Sequence, residues 1–339
     1  MTRLSAWWLC LLTLIGCSGP DTGPAHLDEY LERLSTVTGV ELASGSPYES
    51  GRFDLPREQA TESSASSQID LIDFLSLSGC ELQVNLGRRN TQLGRTASPS
   101  QRLLLDLEFM DLAPECITLL RKRGDDELAS TLAAVSVERE AQLSASVARA
   151  LFMGPEWRLF WEQPATLGNY PADTNSAITE SLSRLADLTQ GWLDGNWQAS
   201  NREVELLLGN LRAGDGGALL AAHSQVSREL ERANTLLART QSVAPLCPYG
   251  NPTDRSKALE RVVARFFVGA VQPWLVQLRQ RTELLLAPVT DLETPLSPAL
   301  SPEYRAWIID RDQLLTNQTE LIRAHIANIQ ATLAQCGPS

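Results

Sequence analysis

The sequence predicts an all-α protein in which long antiparallel helices form a bundle behind an irregular N-terminal segment. Three apolar stripes carry that prediction. Leu219, His223, Val226, Leu230, Ala233, Leu237 and Thr240 alternate spacings of four and three, the seam of a coiled-coil-like hairpin. Leu259, Val262, Val263, Phe266, Phe267, Val271, Trp274, Leu275 and Leu278 form one broad apolar face, with Pro273 placed to kink it. Ile308, Leu315, Ile322 and Ile329 are each seven apart and are flanked by Trp307, Leu314 and Leu321.

From the N-terminus, Arg3 precedes an apolar run from Leu4 to Ile15 that is too short to span a bilayer as a mature helix, which reads as a signal-peptide core over residues 1–16. The run ends in Leu14-Ile15-Gly16-Cys17, which resembles a bacterial lipobox. That resemblance implies cleavage before Cys17 and lipidation of the cysteine, and several acyl chains together anchor stably where one is marginal. Residues 17–25 then form a lipidated tether, and residues 26–339 a single helical periplasmic domain. Ser18, rather than Asp, favours the outer membrane by analogy with known lipoprotein sorting.

Leu27, Tyr30, Leu31, Leu34 and Val37 give a first helix over His26–Val37. Residues 38–67, punctuated by glycine, proline and the run Glu62-Ser63-Ser64-Ala65-Ser66-Ser67, read as loop. Ile69–Leu86 reads as helix with a break near Gly79, followed by a polar turn, Gly87–Arg95. A helix beginning at Arg102 either stops near Pro114 or continues kinked to Leu120. Glu127–Phe152 and Thr174–Leu193 read as helices separated by an aromatic loop with Trp157, Phe160, Trp161 and Tyr170.

Composition is that of a chain with enough apolar material for a sizeable core, 43% hydrophobic and 21% charged. The formal charge of −12 argues against a nucleic-acid binder, which needs a basic stripe, and disfavours direct docking on anionic lipid. With Cys10 removed and Cys17 lipidated, Cys80, Cys116, Cys247 and Cys336 remain for an oxidising compartment to pair. Three connectivities exist. A down-up-down course of the last three helices puts Cys247 and Cys336 at one end, leaving Cys80 with Cys116 by a looser version of the same argument.

Tyr30-Leu31-Glu32-Arg33-Leu34, Asp70-Leu71-Ile72-Asp73-Phe74-Leu75, Gly79-Cys80-Glu81-Leu82, Arg89-Asn90, Leu93-Gly94-Arg95, Pro99-Ser100-Gln101-Arg102-Leu103 and Pro114-Glu115-Cys116 together resemble the uncharacterised domain-of-unknown-function 3080 family of Gram-negative lipoproteins. The resemblance spans most of the mature chain and implies no activity, substrate, cofactor or catalytic residue.

The sequence contains no nucleophile elbow, zinc-protease helix, phosphate loop or dinucleotide fingerprint, and no metal-ligand spacing. His223 and His325 fall in apolar seams and are expected to bond to facing helices. Asp310 with Asp312, and Asp125, Asp126 and Glu127, read as solvated faces and a cap. The aromatic loop is expected in the core rather than as a sugar platform. Arg88, Arg89, Asn90 and Arg95 form the candidate ligand site, since three guanidiniums and an amide suit a carboxylate or phosphate. Pairing with Glu81, Asp106 or Glu108 is the structural alternative. The expected function is a binding or scaffolding module, held on the membrane through Cys17, with an envelope protein or cell wall as partner; the alternative is an envelope hydrolase acting on peptidoglycan or lipid.

Overall fold

The seam of α9 (Gly216–Val243) is buried along its whole length, from Leu219 and His223 to Leu237 and Thr240. The computed structural model describes residues 22–43, 53–57, 77–172 and 174–337. Cys17, the serine-rich run at 62–67 and residues 69–76 of the expected helix lie outside the described residues. Those described contain helices and turns and no strand.

α1 (Gly23–Thr38) starts on Thr22, whose hydroxyl accepts from the Ala25 amide, and stops at Gly39, where φ is 65°. Its last carbonyls, Val37 and Thr38, accept from Arg255, a cation at the negative end of the helix. The expected break near Gly79 is a turn, and α2 begins only at Leu82 (Leu82–Asn90). The expected polar turn at 87–95 is instead helical: α2 runs through it to Asn90, and a one-turn α3 (Gln92–Arg95) follows, capped by Thr91. Leu82 and Leu86 on the buried face hold these polar residues in helix by tertiary packing.

α4 (Pro99–Arg123) passes through Pro114 without stopping, and α5 (Asp126–Phe152) folds back on it beyond Gly124, at φ 83°. α6 (Pro155–Phe160), in the expected aromatic loop, is a short helix with Trp157 and Phe160 in the core. α7 (Ser176–Leu193) is followed by α8 (Asn201–Leu211), which the apolar-stripe reading missed. Ser200-Asn201-Arg202-Glu203 has the spacing of a capping box, and Ser200 does accept from the Glu203 amide, so the start signal was present.

α10 (Asp254–Val262), a π-helical segment (Val263–Val271) and α11 (Gln272–Glu293) form one uninterrupted rod. Pro273 has no amide hydrogen for the carbonyl four residues back, and the wide turns immediately before it accommodate the lost bond. α11 leads through a 3₁₀ turn (Ser297–Ala299) into α12 (Pro302–Thr316) and α13 (Gln318–Ala334). The expected last helix is therefore broken at Asn317. There the Thr316 hydroxyl turns back to the Asp312 carbonyl, and Gln318 is drawn inward to donate to Leu275. Both halves still present the seven-residue stripe to the core.

α9 packs on α13, and the ends of both meet at one end of the bundle, where Cys247 and Cys336 are bonded. Cys80 and Cys116 form the second disulfide. Both pairings follow the hairpin geometry expected from the sequence. His223 shares a 2.9 Å hydrogen bond with the Thr282 hydroxyl. His325 lies between Tyr30, at 2.7 Å, and Asn234, at 2.8 Å. Through Tyr30 this contact ties α1 to α13 across the core, against the Phe267 ring of the π segment.

Candidate functional site: an arginine-lined cavity

Around Cys80–Cys116 the chain is forced into one register. The disulfide holds the turn before α2 to the middle of α4, and buried Asn85 then donates to the Leu105 carbonyl and to Glu108. One turn further on, Arg88 pairs with Glu108 and Arg89 with Asp106. Asp106 also accepts from Arg139 of α5 at 3.1 Å. Two of the expected ligand residues are thus engaged by the acidic side chains named as their structural alternative. The side chain of Arg95 lies outside the described residues.

Arg89 nevertheless belongs to a larger cationic group. It lines a cavity of about 170 Å³ with Arg102 and Asp106 of α4 and with Arg139, Gln142, Ser146 and Arg149 of α5. Positions 102 and 106 are one turn apart, and 139, 142, 146 and 149 recur at three and four, so two antiparallel faces supply the site. Among its described lining residues, four guanidiniums stand against one carboxylate, in a chain with formal charge −12.

Arg139 is the deepest of them. Its side chain is 8% exposed, its guanidinium lies 3.8 Å from the centre of the Phe109 ring, and its Nε is buried with no hydrogen-bond partner. Burial lowers its pKa to about 10, with Asp106 opposing the shift and Arg89 adding to it. The group is still charged at neutral pH, and an unsatisfied buried donor costs about 1–3 kcal/mol. Rigid, bidentate-capable guanidiniums in a partly closed site suit an oxyanion. The cavity's described lining carries no His and no Cys, and its Asp106 is engaged with two arginines.

The other groups singled out in the sequence are structural. Trp157 donates to Tyr304, Tyr304 donates to Glu293, and Glu293 holds Arg311 through two 2.8 Å bonds. Trp161 and Trp307 each lie 5.1 Å from the Arg311 guanidinium. This network closes the core where a sugar platform would have needed exposed rings. Tyr170 donates to Asp215, which also holds Arg281. Asp310 is exposed, Asp312 accepts from Arg311, and Asp126 and Glu127 sit in the first turn of α5. Among the described residues no cluster of His, Cys, Asp or Glu is placed to hold a metal ion, and no helix is long and apolar enough to cross a membrane.

The fold and the cavity define a helical-bundle protein with two disulfides and an arginine-lined cavity between α4 and α5. The chain belongs to the family described as Protein of unknown function (DUF3080), whose model matches residues 27–339. No curated protein and no solved structure matches it.

Proposed function

We propose that this is a lipid-anchored bacterial envelope protein whose single helical domain, from α1 onward, binds an oxyanion-bearing ligand in the arginine cavity. The observation that carries the binding reading is Arg139: a buried guanidinium with an unused Nε, facing three further arginines across a space of phosphate or carboxylate size. Its burial costs stability and is recovered when an anion accepts from it. A ligand clamp uses such a set directly, whereas hydrolysis would require a general base, and the one carboxylate of the described lining, Asp106, is held by Arg89 and Arg139.

Export is supported by the lipobox at Cys17 and by two disulfides, bonds that persist in oxidising compartments. Ser18 favours the outer membrane, with the domain facing the periplasm.

The test is calorimetric titration of the protein with inorganic phosphate and with acetate, at low and high salt. Saturable binding that weakens in Arg102→Gln and in Arg139→Gln is the expected result. Arg102 is exposed, so its replacement leaves the fold intact even where loss of Arg139 disturbs it. No saturable binding of either anion by the wild-type chain overturns the reading.

A further inference from the structure

α1 lies antiparallel along the π segment. Gly23 sits on Trp274, Tyr30 on Phe267, Arg33 over Phe266, and Thr38 at Arg255. A Cβ on Gly23 would fall 2.1 Å from the Trp274 ring, so the backbone lies directly on the indole, whose N–H is itself fixed on the Tyr170 carbonyl. The described chain therefore begins against Trp274. Cys17 is six residues back, which places it within ~20 Å of that indole even at full extension.

From Arg261 to Thr282 the sequence holds four arginines and no carboxylate. Arg281 is buried on Asp215 and Arg279 pairs with Glu283 just beyond the stretch, which leaves Arg261 and Arg265 as its exposed cations without a carboxylate in the same stretch. Val268 is 49% exposed and Val276 54% exposed, with Pro273 exposed between them. Arg265 and Arg33 both lie over the half-buried Phe266 ring, 5.4 and 5.5 Å from its centre. Exposed apolar side chains rimmed by guanidiniums are the composition of a face that meets an anionic lipid surface, where the rings and valines enter the headgroup boundary and the arginines stay at it.

We infer that this face, formed by the π segment and the start of α11, docks flat on the bilayer that carries the anchor. The inference rests on the lipid-anchor reading, because the short tether is what brings this face to the membrane. It refines the expectation from net charge: the chain as a whole repels anionic lipid, and this one face does not. Docking here also fixes which way the bundle points, with the tether end of α1 down.

The experiment uses the lipidated protein in vesicles of phosphatidylethanolamine and phosphatidylglycerol, with an environment-sensitive fluorophore on Val276→Cys or, as reference, on Leu206→Cys of α8. Bromine-labelled lipids are expected to quench the label at 276 several-fold more than that at 206, and Arg265→Glu with Arg279→Glu to reduce the difference. Equal, weak quenching at both sites in protein that floats with the vesicles overturns the docking and leaves the anchor standing. Mass spectrometry showing an unmodified Cys17 overturns the anchor reading and the docking with it.

Discussion

Replacing Arg311 with methionine tests the buried charge network that closes the core. Arg311 is fully buried and makes two 2.8 Å bonds to Glu293, a side chain only 5% exposed. Burial by itself would lower the Arg311 pKa; Glu293, with Tyr304 and Asp312, outweighs it and holds the pKa above its ordinary value. Methionine fills much of the volume and leaves Glu293 with the Tyr304 hydroxyl as its remaining donor. A buried charge stripped of its partner costs about 3–5 kcal/mol, and solvent screens almost none of it at this depth. The assay is urea unfolding followed by helical ellipticity. Arg311→Met should lose about 3–5 kcal/mol, while the double variant Arg311→Met with Glu293→Gln should recover at least half of that loss. Recovery is expected because the amide needs no counter-charge and its oxygen still accepts from Tyr304. A single-variant loss below about 1 kcal/mol, or a double variant as unstable as the sum of the two singles, refutes the network as described.

Two further outcomes are expected from groups buried in the same bundle. Burial lowers the pKa of both His223 and His325 to about 4 from an ordinary 6.5, so the unfolded chain takes up their protons first. Their contribution is whole above pH 6.5 and drains as the pH falls toward 4, by up to roughly 3 kcal/mol for each histidine. Urea midpoints measured across that interval should fall in the wild-type chain and fall less steeply in His325→Gln; a flat wild-type profile contradicts the assignment. For the disulfides, loop-closure entropy gives about 4.6 kcal/mol for the 89-residue separation of Cys247–Cys336 and about 3.8 kcal/mol for the 36-residue separation of Cys80–Cys116. Removing each pair as alanines should cost several kcal/mol by the same assay, with the longer loop losing at least as much, and a reversal by more than about 1 kcal/mol would show that strain or packing dominates.

The C-terminal half was legible because its long stripes permit one folding solution. Every seam position from Leu219 to Thr240 is buried, and the common end of α9 and α13 yields the Cys247–Cys336 bond without further information. Short elements failed where periodicity had too few turns to register. α8 has only Val204, Leu207, Leu208 and Leu211 to show, and α6 is packed with aromatic residues that an apolar-stripe reading takes for a loop. The proline kink expected from the sequence is a π segment instead, because sequence reveals the missing amide of Pro273 but not which register relieves it. Asn317 was invisible for a related reason, since the seven-residue stripe continues across the break.

The site was half legible for a reason that concerns distance along the chain. Arg88, Arg89 and Arg95 stood out because they are neighbours in sequence, yet Arg88 spends its charge on Glu108 at the surface. The residues that give the cavity its character, Arg102, Arg139 and Arg149, come from positions separated by tens of residues and are assembled only when α5 folds back on α4. Nothing in any single helix marks them, because an arginine every ten residues is ordinary on a solvated face. What separates them from solvated arginines is the burial of Arg139 and the lone carboxylate opposite, both tertiary facts. Stability alone would favour a neutral side chain at 139, since a buried guanidinium with an unused donor is a cost to the fold. If Arg139 meets no ligand, Arg139→Met should therefore be neutral or stabilising and leave the chain's behaviour toward phosphate and acetate unchanged. The binding reading predicts the same stability with a different binding outcome, a chain as stable as wild type or more so that has lost its affinity for phosphate or acetate.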